Sequence, residues 1–210
     1  MAKPGELAEL IARLLKLEEA TVRQQARELR NHGLMSKEKG GRGAGSMTAR
    51  DAAHLLVAAA VRPPVKNSAD AVRQFHACIA SNDNGDTAKW DLSYLPASEI
   101  QHLHSEHSIV DLIEATTSAF CDGQWADKVS LFSDTPFDAG KFILSISLGG
   151  PEISATASII QLTERGKSRS EKVAGEMHLY GDTESVRTYY SYSFHFGHKV
   201  LIEIGKLLRA

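Results

Sequence analysis

Cysteine is scarce in this chain. Cys78 and Cys121 are the two, with no CxxC pair and no regular spacing, which argues against a disulfide framework or a zinc ribbon and leaves two buried, reduced thiols as the expectation. Long apolar runs are also missing. The longest, Ala52 to Val61, is broken by His54 and reaches about half of the roughly 20 residues a membrane span needs, so no membrane association is expected. Glu6 and Glu9 interrupt the first apolar stretch where a secretory leader would not tolerate them, and a cytoplasmic protein is the reading. No H-E-x-x-H, G-x-S-x-G or G-x-x-x-x-G-K motif occurs, so neither an enzyme nor a cofactor is expected.

Net charge is small too, at −2 over 210 residues, but it is unevenly spread. Residues 1–66 hold 12 Lys and Arg against 7 Asp and Glu, a surplus of five positive charges; the remainder holds 12 against 19, an excess of seven negative ones. A basic module that meets a polyanion, joined to an acidic body that does not, follows from that asymmetry.

With 42% hydrophobic residues, the chain can bury a globular core and carry a small appended domain. Leu7, Leu10, Ile11, Leu14 and Leu15 fall at i, i+3, i+4, i+7 and i+8, which predicts a helix over Gly5 to Lys16. A break at 16–19 precedes a second helix carrying Val22, Ala26 and Leu29, closed by a glycine cap at Asn31-His32-Gly33. A basic glycine loop, Ser36 to Ser46, leads to Thr48-Ala-Arg-Asp51, a capping-box variant that opens a third helix. Pro63-Pro64 ends it and marks a linker. Helices are expected from Ser68 to the 81–86 turn cluster and over Ser98 to Phe120. From Gly140 the period changes to two, predicting strands at 142–148, 153–162, 173–180 and 187–196, then a helix over 199–209. The reading is α+β: residues 1–62 as a winged helix-turn-helix DNA-binding domain, and 67–210 as an α+β dimerisation or effector domain with a helical segment, about four antiparallel strands and a terminal helix.

The second helix carries the chemistry. With Val22, Ala26 and Leu29 inward, Thr21, Arg23, Gln24, Arg27, Glu28 and Asn31 form a hydrogen-bonding face. Arginine pairs with guanine, and Gln or Asn with adenine, in a major groove wide enough for a helix. Arg30 near the helix end, and Lys37, Lys39 and Arg42 on the loop, suit phosphate contacts that do not depend on sequence. Each feature alone is ordinary, a solvated helix face or a flexible connector; their order is less so.

Ala20 to Leu34, reading ATVRQQARELRNHGL, resembles the recognition helix and exit of a bacterial winged helix-turn-helix transcription regulator, nearest to the MerR-like arrangement, with Thr48 to Leu56 matching the helix after the wing. The resemblance covers about 60 residues, and the chain's general look is similar to phage and prophage regulators. It departs in two respects: the loop has no aromatic residue or strand pattern, and no long coiled-coil helix follows. The resemblance implies double-stranded DNA as partner. A homodimer is expected because one such module buries limited surface and operators are commonly two-fold. The alternative is a phage-type interaction protein that inhibits a host protein or ribonucleoprotein complex.

Two weaker constellations remain. His102-x-His104-x-x-His107, with His76 and Glu106, suggests a metal cluster, but on one helix His102 sits about 160° from His104, so a solvated helix face with one core histidine and no metal is preferred. Tyr190, Tyr192, Phe194 and Phe196 share one strand face, with Tyr189 beside them; this reads as core or subunit interface, ahead of a ligand pocket or a face that stacks on single-stranded nucleic acid, and a small-molecule or protein effector would act on this C-terminal domain.

Overall fold

The stripe of leucines at the start of the chain folds as its spacing dictates. In the computed structural model, which describes residues 2–36, 46–79, 103, 107–123, 142–150, 153–165, 168–180 and 192–210, helix α1 (Pro4–Leu15) buries Leu7, Leu10, Ile11 and Leu15. Proline at the first helical position costs no hydrogen bond, and the Glu6 carboxylate accepts the Lys3 backbone N–H at 2.8 Å. Lys16 turns left-handed, φ 53°, so that Leu17 N–H reaches the Ala12 carbonyl at 2.8 Å. This closes α1 in a Schellman turn with lysine in the place glycine usually takes.

After a three-residue turn, α2 (Glu19–Asn31) buries Val22, Gln25, Ala26 and Leu29. Its exit is also a Schellman turn. Gly33 has φ 73°, Gly33 N–H bonds the Arg30 carbonyl at 3.1 Å, and Leu34 N–H bonds the Leu29 carbonyl at 2.9 Å.

Helix α3 (Ala49–Val61) is buried at every residue from Asp51 to Val61. A helix apolar all round must sit inside other elements, and α3 packs against α1 and α2 on one side and α4 (Ser68–Ala77), α5 (Ile109–Cys121), α6 (His198–Arg209) and strands β1 (Phe142–Gly150) and β4 (Tyr192–Gly197) on others. The buried cluster runs without a gap from Ala2 to Ile204, across the Pro63-Pro64 turn that separates residues 1–62 from 67–210. Pro64 precedes a single 3-10 turn, Val65–Asn67, which leads directly into α4.

The sheet is antiparallel, with order β3-β2-β1-β4, where β2 is Ser154–Arg165 and β3 is Ser168–Tyr180. Mixed helix and antiparallel sheet make the architecture α+β. Register places Ile146 between Ala157 and Phe196, and Leu148 between Ala155 and Phe194. One face is thus apolar: Leu144, Ile146, Leu148, Ala155, Ala157 and Phe196 are buried. Phe194 is half-buried and covered by the Arg62 guanidinium, 5.7 Å from the ring centre. The aromatic pair of β4 therefore belongs to the core, while Tyr189 and Tyr190 lie outside the described residues.

Three expectations need correction. Strands β2 and β3 run on through Thr163 to Arg165 and Ser168 to Lys172, paired residue for residue, because a backbone ladder continues without apolar side chains to signal it. The helix expected over Ser98 to Phe120 is interrupted at Ser108. Ser108 has extended backbone, φ −86° and ψ 166°, its hydroxyl accepts Asp111 N–H at 3.1 Å, and Asp111 accepts Ser108 N–H at 2.8 Å, so a capping box starts α5 at Ile109. His107 consequently precedes the helix and is buried; His102, His104 and Glu106 lie outside the described residues, as does the 81–86 turn cluster. Cys78 is buried but Cys121 is only half-buried, and both are free.

Helices α5 and α6 cross closely at Gly205. A Cβ there would lie 2.7 Å from Phe120 Cβ and 2.9 Å from its carbonyl carbon, which flexible side chains cannot relieve because the obstacle is largely backbone. Gly205→Ala should therefore lower unfolding stability by about 1–3 kcal/mol in urea titration, an overpacking cost that reverses the gain of up to about 1 kcal/mol an alanine brings to an unobstructed helix.

Candidate nucleic-acid interface

Turning Val22, Gln25, Ala26 and Leu29 inward leaves a polar arc on α2. Arg23, Gln24, Arg27 and Asn31 are exposed, and Thr21 and Arg30 are half-buried. At 100° per residue the arc divides into rows: Arg23, Arg27 and Arg30 in one, Gln24 and Asn31 about 80–100° further round. The two rows differ in chemistry, guanidinium on one side and carboxamide on the other.

The arginine row lies against the first turn of α1. Pro4, Gly5 and Ala8 with Arg23, Arg27 and Arg30 border an open concavity of about 220 Å³. Gly5 is part of the reason it exists: a Cβ there would stand 3.2 Å from Arg23 Nη1, so the guanidinium occupies space a larger residue would claim. Backbone N–H groups in the first turn of a helix carry partial positive charge, which adds to the three guanidinium groups, with Glu6 offsetting part of it.

Acidic partners attend the same face. Arg23 Nε donates to Glu19 Oε1, Glu28 Oε1 lies 3.1 Å from His32 Nε2, and Thr21 Oγ1 donates to Glu18 Oε2 at 3.2 Å. The Arg23–Glu19 pair is about half exposed on both sides, so solvent screens it and a phosphate can displace the carboxylate at small cost. The i, i+4 spacing of Glu19 with Arg23 and of Glu28 with His32 signals these pairs in the sequence. Helical spacing puts Gln24 outward and Gln25 on the apolar side with Val22 and Leu29, and the structure shows what the buried amide meets: Gln25 Nε2 donates to the Ala58 carbonyl at 3.2 Å, joining α2 to α3.

Lys37, Lys39 and Arg42 lie outside the described residues, but both ends of their loop are described. They meet on one carboxylate. Asp51, 3% exposed, accepts Ser36 N–H at 2.7 Å and Ser36 Oγ–H at 2.9 Å, and also Thr48 N–H and Thr48 Oγ1–H, each at 2.9 Å. Met47 N–H bonds the Ala2 carbonyl at 3.1 Å, which brings the returning end of the loop beside the start of α1. The basic loop is thereby rooted next to the helix pair whose outer face is cationic.

Among the described residues no group of three or more His, Cys, Asp or Glu side chains could hold a metal ion, and no helix is long and apolar enough to cross a membrane. Asp51→Asn, which sets an amide NH₂ against donors on whichever side it faces, should cost about 1.5–3 kcal/mol, the range for hydrogen bonds to a charged group, read as a lower urea midpoint with unchanged slope. No family model, curated protein or solved structure matches this chain.

Proposed function

We propose that the chain is a sequence-specific DNA-binding transcription regulator, a cytoplasmic protein of bacterial or phage type. In this reading residues 1–62 act as a winged helix-turn-helix of MerR-like arrangement, and 67–210 provide dimerisation or an effector site. The observation that carries it is the arginine row Arg23, Arg27 and Arg30 set against the first turn of α1, with Gln24 and Asn31 in the next row. Docked in a major groove, α2 presents Gln24 and Asn31 to adenine edges and Arg23 or Arg27 to guanine, while Arg30 and the first turn of α1 meet the flanking phosphates. Glu19 releases Arg23 when phosphate or base takes its place. Lys37, Lys39 and Arg42 add contacts that are blind to sequence. Two copies reading a two-fold site supply the area that one such module lacks.

The test is binding of the purified protein to duplex DNA from upstream of its own coding region against random duplex, at two salt concentrations. A specificity ratio well above unity that persists at the higher salt is expected. Arg23→Ala and Arg27→Ala should each lower cognate affinity by about 1–3 kcal/mol and relax base preference, whereas Lys37→Ala should weaken all sequences alike and reduce the salt slope by about one. Arg27 is exposed, so its removal should move folding stability by less than about 0.5 kcal/mol, which separates a binding defect from a folding one. Equal, salt-labile binding to every duplex would replace this reading with that of a protein that inhibits a host complex.

A further inference from the structure

His54 and His76 face one another across the packing of α3 and α4, and neither belongs to the cationic face of α2. Their Nε2 atoms are 2.8 Å apart, and the rings meet edge to face with centroids 5.0 Å apart. His54 is 1% exposed; His76 is half-buried. The other nitrogen of His54, Nδ1, contacts the Leu34 carbonyl at the exit of α2. A carbonyl only accepts, so the neutral His54 carries its proton on Nδ1 and turns a bare lone pair at Nε2 toward its partner. His76 must then carry its own proton on Nε2 and donate it. One chain of hydrogen bonds, His76 to His54 to Leu34, links α4, α3 and the segment leaving α2.

Proton count decides whether that chain survives. One added proton leaves a single hydrogen between the two Nε2 atoms. Two added protons put N–H against N–H at 2.8 Å, with like charges facing. We propose that the pair is a proton-operated latch: with at most one added proton it holds the C-terminal half of α4 to α3, and when doubly protonated it opens by outward movement of His76, the member nearer solvent.

The surroundings favour the closed form at neutral pH. Burial, the largest effect, holds His54 below its ordinary value of 6.5; the Leu34 carbonyl opposes this, His76 and Arg50 reinforce it, and Asp51 opposes it. Burial likewise lowers His76, with Asp111 of α5 opposing and Arg50 reinforcing. Glu114 of α5 is raised, chiefly by burial, with Arg50 pulling it down and Asp111 and Asp51 pushing it up. The folded protein therefore binds fewer protons at the pair than the unfolded chain does below the ordinary imidazole value of 6.5. Stability from the pair is complete above that value and is lost as the pH falls below it, the two protons adding in steps that belong to the pair.

The test combines imidazole ¹⁵N chemical shifts with amide hydrogen exchange on the full chain. At pH 7.5 the shifts should report a proton on Nδ1 of His54 and on Nε2 of His76. On acidification, exchange should quicken across Val72 to Ala77 and stay slow in α3. His76→Gln keeps an Nε2–H donor without a titrating group, so it should retain slow exchange at pH 7.5 and lose the acid response. His76→Ala should show fast exchange in α4 at both pH values. An undiminished acid response in His76→Gln, or an ordinary titration of wild-type His76 with no change in α4 exchange, overturns the latch. So does stoichiometric Zn²⁺ uptake at pH 7.5 that His76→Gln abolishes, since the lone pairs would then serve a metal.

Discussion

Burial of α3 on all sides is the constraint on which the other elements depend. Its short residues, Ala52, Ala53, Ala58, Ala59 and Ala60, let neighbouring helices and strands come close, while Leu55, Leu56, Val57 and Val61 fill the spaces between. Such a helix has no stable place of its own in water; it needs α1 and α2 as much as α5, α6 and the sheet. The basic segment and the acidic body thus share one interior, and a change on the surface of α2 is two layers of packing away from the sheet.

Two polar residues on α3 organise what surrounds this apolar rod. Asp51 gathers both ends of the basic loop onto one carboxylate, and His54 reaches the exit of α2 and the flank of α4. Both are almost wholly buried, where a polar group left without partners is costly. The same bonds that satisfy them fix the path of the chain between α2 and α4. Residues that a composition count would regard as flaws in an apolar helix are the ones that set the positions of its neighbours.

On α2, charge is arranged rather than merely abundant. The arginine row rests against the first turn of α1, and the carboxamides lie in the adjacent row. Glu19 and Glu28 sit in i, i+4 pairs with Arg23 and His32 that are open to solvent on at least one side, so water screens them. The positive charge of this surface is thus already oriented, with counter-charges that solvent screens.

What the sequence determined by itself were the features governed by local spacing. The stripe from Leu7 to Leu15, the glycine exit at Gly33, the Thr48–Asp51 cap and the period-two residues of β1 each draw on neighbours within a few positions, and each forms where the pattern placed it. Ser108–Asp111 is a cap of the same kind; it was legible in principle and was hidden by apolar residues that happen to continue a helical period upstream. Tertiary structure alone decided the rest. Gln25 finds its partner only because the Ala58 carbonyl stands opposite it, His54 acquires its tautomer from the carbonyl of Leu34, and Asp51 serves two loop ends because Ser36 returns to it. These outcomes depend on residues distant in sequence, brought together by the burial of α3, and no local periodicity records them.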